Sequence, residues 1–189
     1  MLRDWVIRNR SYRRFDAGQP VSEATLRELV DLSRLTGSAG NLQRLKYAIV
    51  SGKEKCDAMF PLLRWAAYLT DWAGPEENER PTGYVVILRD HLLGPTVSVI
   101  DEGIAAQTLL LGAVEKGLGG CMIASCERME VLHLLGLDSG RYEVSLVVAL
   151  GVPTERVVLE PMTGGDCKYW RDPDGTHHVP KRSLDEVLL

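Results

Sequence analysis

The stretch Asp101–Lys116, DEGIAAQTLLLGAVEK, decides the fold class. Ile104, Ala105, Leu109, Leu110, Leu111 and Val114 cover most of the circumference of the helix it predicts, and a helix that is apolar nearly all round belongs in a core or a subunit interface. It stops at Gly117-Leu118-Gly119-Gly120. Upstream, Tyr84–Leu88 (YVVIL) reads as a strand buried on both faces, and downstream Ser145–Gly151 (SLVVALG) reads the same way. A buried helix between buried strands calls for layers on both sides of a sheet.

Working outward, Ser22 is placed to cap a helix carrying Leu26, Leu29, Val30 and Ser33 at helical spacing. Lys46–Ser51 is a short strand, and Glu54–Leu69 reads as a helix interrupted at Pro61. Residues 71–82 form a polar loop. Ser125 is expected to cap a helix running to Leu135, closed by Gly136. In the tail, Lys168–Arg171 and His177–Val179 flank the turn Asp172-Pro173-Asp174-Gly175, a hairpin pattern. The order α-α-β-α-β-α-α-β, then a strand-rich tail, is not a simple βαβ repeat. It predicts an α+β layered domain, with residues 1–160 as the main body and 161–189 as a hairpin and arm reaching a partner subunit.

Of the 189 residues, 45% are apolar, and 22 Lys and Arg against 26 Asp and Glu leave a net charge of −4. That balance argues against non-specific nucleic-acid binding, which needs a basic face. The apolar fraction excludes disorder. No apolar run approaches the ~18 residues of a membrane span, and the first residues lack a signal-peptide core, so a cytoplasmic protein with no membrane partner is expected. Cys56, Cys121, Cys126 and Cys167 form no metal or redox spacing and are expected to be free thiols. His177 and His178 are adjacent, so on a strand they face opposite ways and cannot share a metal.

Four dispersed features offer chemistry. Arg10-Ser11-Tyr12-Arg13 supplies two guanidinium forks and hydroxyls, suited to a phosphate. Ser38, Asn41 and Gln43 supply uncharged hydrogen-bonding groups suited to a heterocycle. Gly119-Gly120 allows close backbone approach, and Lys181-Arg182 adds a late basic pair. Taken singly, each has a plain reading: a solvated face, a helix stop, a turn, surface charge.

Together and in this order they resemble the nitroreductase family, flavoproteins that hold FMN at a dimer interface. Arg10-Ser11-Tyr12-Arg13-Arg14-Phe15 is similar to its R-S-x-R-x-F block, and Ser38-Ala39-Gly40-Asn41-Leu42-Gln43 to its P-S-x-x-N-x-Q loop. Asp101–Leu111 resembles its long dimer helix, Gly117–Cys121 its G-L-G-x-C turn, and Ala149–Pro153 its A-L-G-x-P strand end. The resemblance implies a central, mostly antiparallel sheet flanked by helices, a homodimer, and electrons passing by a ping-pong mechanism from NAD(P)H through FMN to a nitroaromatic, a quinone or a similar acceptor. It implies that Arg10, Ser11 and Arg182 hold the phosphate and ribityl end. Arg13 would lie at the pyrimidine edge, where reduction places negative charge. Ser38, Asn41 and Gln43 would bond the ring and ribityl hydroxyls, and a backbone N–H near Gly119-Gly120 would reach flavin N5. The chemistry would then lie on the flavin, with no catalytic side chain.

The chain departs from the pattern at Asn9, where the family often has Arg, at Gly37, where it has Pro, and at Gln43-Arg44-Leu45, where it has Q-P-W. A chain of this length also leaves little room for a lid. Other flavin chemistry on the same scaffold, such as dehalogenation, and non-catalytic FMN binding are the alternative readings.

Overall fold

The computed structural model describes residues 1–94 and 99–189. Four antiparallel strands form the main sheet in the order β1-β2-β4-β3: β1 Leu45–Ser51, β2 Gly83–Asp90, β3 Gly119–Ile123 and β4 Tyr142–Gly151. Helices α2 (Glu23–Arg34) and α4 (Val99–Glu115) pack on one face, while α3 (Lys53–Met59) and α5 (Arg128–Leu134) pack on the other. A short α1 (Leu2–Arg8) lies against α4.

Strand alternation divides the core in two. Tyr84, Val86 and Leu88 of β2 join Val144, Val147 and Ala149 of β4 beneath α3 and α5. Val85 and Ile87 join Val148 and Leu150 beneath α2 and α4. Val144 and Val147 share a face despite their odd spacing, because the register with β2 shifts between Ile87 and Leu88 and leaves Ser145 as the extra residue. Ser22 caps α2 by accepting from the Thr25 N–H.

Two helical expectations change for one reason. Residues 63–64 and 125–127 pair as extended chain: Leu63 bridges Cys126, the Arg64 N–H donates to the Ser125 carbonyl (3.0 Å), and the Glu127 N–H donates to Leu62 (2.9 Å). That pairing ends α3 and its 3-10 extension at Leu62, so Trp65–Tyr68 is not helical. It also delays α5 to Arg128, with Glu127 rather than Ser125 before it. The Gly119–Ile123 strand was not predicted, because its glycines read as a helix stop.

The tail makes a second sheet, β5-β7-β6, from β5 Val157–Pro161, β6 Trp170–Arg171 and β7 His177–Lys181. The expected hairpin is there, as the antiparallel β6–β7 pair. The parallel β5–β7 pair joins residues twenty apart and straddles the expected boundary at residue 160.

Gly119 and Gly151 let the N-terminal segment lie on the main sheet, and Gly120 lets β3 pack against β4 and α4. A Cβ on Gly119 would sit 2.5 Å from Tyr12 and 2.6 Å from Pro153, one on Gly120 would sit 2.5 Å from the Ala149 carbonyl, and one on Gly151 would sit 2.8 Å from Phe15. Gly120→Ala is therefore expected to lower the unfolding free energy by about 1–3 kcal/mol, as overpacking does. Urea denaturation should report it as a lower midpoint at unchanged slope.

Candidate functional site

The arginine segment runs along the free edge of β3. Ser11 bridges Gly120 in parallel, and the Tyr12 N–H donates to the Gly120 carbonyl at 3.0 Å. Its side chains also close the end of α1: Arg10 donates to the Val6 carbonyl (2.7 Å) and the Tyr12 hydroxyl to the Arg8 carbonyl (3.0 Å), satisfying helix-end acceptors. The segment is thus fixed at both ends.

It forms one wall of a cleft of about 310 Å³, lined by Arg10, Ser11 and Arg13, by Gln107 of α4, by Met122 of β3, and by His177, Val179 and Lys181 of β7. The β7 residues are alternate ones, so strand parity selects them. Arg182 falls on the other parity, does not line the cleft, is exposed, and pairs with Glu186 at 3.7 Å. Lys181 is the late basic residue on the wall. Gly119 and Gly120 do not line the cleft either; their missing Cβ atoms make room for Tyr12, Pro153, Leu110 and Ala149.

Arg13 is nearly enclosed at 8% exposure, and its guanidinium lies 4.8 Å from the centre of the Tyr169 ring. Glu155 holds it: the carboxylate accepts the Arg13 main-chain N–H and pairs with Arg171 at 2.8 Å. Arg13, Met122 and Tyr169 also border a second hollow of about 200 Å³, which extends to Trp65 and residues 121–125. The two hollows share one wall, cationic at the Arg10–Lys181 end.

The polar loop cluster lies elsewhere. Ser38 and Gln43 line a separate cleft with Asp101, whose carboxylate accepts the Ala39 N–H at 3.0 Å. Ser38 accepts the Gln43 N–H, and the Gln43 side chain donates to Asn41. Asn41 and Gln43 both have left-handed backbone (φ 54° and 49°), a costly conformation for residues other than glycine that clusters at functional sites. Within one chain this cluster and the arginine cleft share no lining residue.

Two nitrogens test whether an anionic cofactor fits the arginine cleft. Arg10 Nε and His177 Nδ1 are enclosed without a hydrogen-bond partner, although buried polar groups are normally satisfied. Burial also lowers the Arg10 pKa from its ordinary value, a cost that an anion would relieve. A phosphate-bearing ligand suits this end. Among the described residues, no group of His, Cys, Asp and Glu could hold a metal. The four cysteines are free, with Cys56 and Cys121 buried.

The sequence pattern of the Nitroreductase family matches residues 7–152. The chain belongs to the nitroreductase family. MhqN of Bacillus subtilis, whose name provisionally assigns it as an NAD(P)H nitroreductase, is 24% identical over 177 residues, covering 77% of this chain and 85% of that protein. A nitroreductase family protein from Streptococcus pneumoniae superposes with a TM-score of 0.71 at 15% identity, over 100% of this chain and 99% of that one. A protein of Desulfovibrio desulfuricans, provisionally described as a nitroreductase and solved in complex with FMN, gives 0.66 at 19% identity over 100% and 95%. The α+β fold with its antiparallel sheet is the fold of these structures. No helix among the described residues is long and apolar enough to cross a membrane.

On β7 the adjacent histidines of this nitroreductase-family chain are tuned in opposite directions. His178 lies between Asp172 (3.2 Å) and Glu160 (3.0 Å) and stacks on Trp170 at 4.0 Å. The Asp172 hydrogen bond, aided by Glu160, raises its pKa. His177 is pushed down to about 4 by burial, then by the charges of Arg13, Arg171 and His178. Relative to an ordinary imidazole near pH 6.5, His178 contributes stability that is complete below that pH and lost as pH rises through its raised value. His177 contributes stability that is complete above about pH 6.5 and lost as pH falls towards 4. Ring-proton NMR titration should show two separate transitions, one above and one well below the ordinary value; coincident transitions near 6.5 would contradict both environments.

Proposed function

We propose that this chain is an FMN-dependent oxidoreductase that works as a homodimer, taking electrons from NAD(P)H and passing them to a small acceptor such as a nitroaromatic or a quinone. One observation carries this reading: a cationic cleft with two unpartnered nitrogens shares its Arg13–Met122–Tyr169 wall with a second hollow, a pairing that suits a ligand with an anionic tail and a flat ring. FMN supplies the hydride-accepting and hydride-donating chemistry when bound. Arg10, Ser11 and Lys181 hold its phosphate end, with Lys181 in the part that the resemblance gave to Arg182. Arg13, fixed by Glu155, faces the ring edge.

The homodimer reading rests on the surface of α4. Ile100, Gly103, Ile104 and Gln107 form an exposed stripe at helical spacing, beside exposed Leu2, Val6 and Ile7 of α1. Gln107 belongs both to this stripe and to the cleft wall, so a second copy seated on the stripe would border the cleft. In that arrangement Ser38, Asn41 and Gln43 of the partner copy complete the ring site. Exposed Leu184, Val187 and Leu188 at the end of the arm are further surface for the partner.

Reconstitution with excess FMN followed by gel filtration is expected to give a yellow dimer with one FMN per chain. Colourless protein, or a yellow monomer, would overturn the cofactor or the assembly respectively. With FMN bound, quinone-dependent oxidation of NADH should exceed the rate without quinone; equal rates would leave a flavin-binding protein.

Arg13→Ala is expected to impair flavin reduction more than flavin binding, because Arg13 faces charge that appears only on reduction. A lost charge contact in a partly buried site is worth about 1.5–3 kcal/mol. For a two-electron couple this is a potential drop of about 30–65 mV, at about 30 mV per 1.4 kcal/mol. A dye-equilibrated redox titration measures it. An unchanged potential with collapsed FMN affinity would make Arg13 a phosphate ligand instead.

A further inference from the structure

Resting on the FMN site proposed above, we infer that His177 is a cofactor-contacting residue whose imidazole hydrogen-bonds the molecule held between Arg13 and Lys181. The ring lies on the cleft wall and is only 1% exposed, and its Nδ1 is enclosed with no hydrogen-bond partner. A purely structural residue at this strand position would be cheaper as an apolar one, as Val179 on the same wall illustrates. An unmet polar group calls for a partner, and on this wall a bound molecule can supply it.

The surroundings fix its state. Tyr169 lies against the ring, with centroids 5.1 Å apart, and the His177 main-chain N–H donates to the Arg156 carbonyl at 2.8 Å, so the side chain is anchored. The cations around it are Arg13 from the N-terminal segment, Arg171 from β6 and the adjacent His178. The carboxylate of Glu155 is taken up by Arg13 and Arg171. At neutral pH the imidazole therefore stays uncharged, with its pKa near 4, and offers one N–H and one lone pair. A neutral group with both functions suits the carbonyl and imide edge or the ribityl hydroxyls of a flavin, which the guanidinium donors nearby serve only in part.

The test compares wild type, His177→Leu and His177→Asn, each stripped of flavin and retitrated with FMN by fluorescence quenching. Asn keeps a hydrogen-bonding atom near the place of Nδ1, whereas Leu fills similar space without one. FMN affinity is expected to fall at least tenfold in His177→Leu and to stay within about threefold of wild type in His177→Asn. Thermal unfolding of the flavin-free proteins should show His177→Leu no less stable than wild type, so that its loss of FMN affinity is not a loss of fold. Equal FMN affinity in His177→Leu and wild type, or equal losses in Leu and Asn, would overturn the assignment. Failure of the wild type itself to bind FMN would instead strike the underlying reading, and this assignment with it.

Discussion

The contact on which the rest of this molecule depends is the close approach of residues 11–15 to a sheet edge stripped of side chains. Gly119, Gly120 and Gly151 leave no Cβ where Tyr12, Leu110 and Phe15 need space. The N-terminal segment therefore lies at main-chain hydrogen-bonding distance from β3, and Arg10 and Arg13 line a common cleft. An ordinary side chain at Gly120 would push against backbone, which cannot move aside as a rotamer can. The position of the cations thus follows from the missing Cβ atoms of Gly119 and Gly151 beside Tyr12 and Phe15.

The chain is mildly acidic overall, yet its cleft is cationic. Arg10, Arg13 and Lys181 line it, Arg171 stands behind Arg13, and the carboxylate among them, Glu155, is taken up by the Arg13 main-chain N–H and the Arg171 side chain. Buried like charges are tolerated when a shared counterion neutralises part of their field and leaves the remainder to a ligand. Charge segregated in this way attracts anions locally while the protein as a whole repels them weakly. Arg171 and Arg14 also lie over the Trp72 ring, 4.2 and 5.9 Å from its centre, which ties the 72–82 loop to the same cluster.

What the sequence made legible was whatever a short local window contains. Helix α4, the doubly buried strands β2 and β4, the Ser22 cap and the Asp172–Gly175 hairpin all follow from local pattern. The arginine segment was visible through its residue types. The edge strand at Gly119–Ile123 was hidden because glycines selected for close approach read as a helix stop. The early end of α3 and the late start of α5 depended on the pairing of residues 63–64 with 125–127, which no local window contains. The choice of Lys181 over Arg182 was within reach: the parity that sends His177 and His178 to opposite faces also sends residues 181 and 182 apart. The partition of the loop cluster from the arginine cleft was not, since it depends on where the folded chain places residues 38–43 relative to residues 10–13.

Strand β7 carries two unlike jobs on its two sides. His177, Val179 and Lys181 line the cleft, while His178 faces the Asp172–Glu160 clamp. Gain or loss of a single residue in the turn before it would exchange the two sides wholesale, sending Pro180 and Arg182 to the cleft and burying a charged histidine. The tail can thus accept many point substitutions but almost no change of length between Asp172 and Lys181. In lineages descended from this chain, that segment should drift in letters while keeping its count.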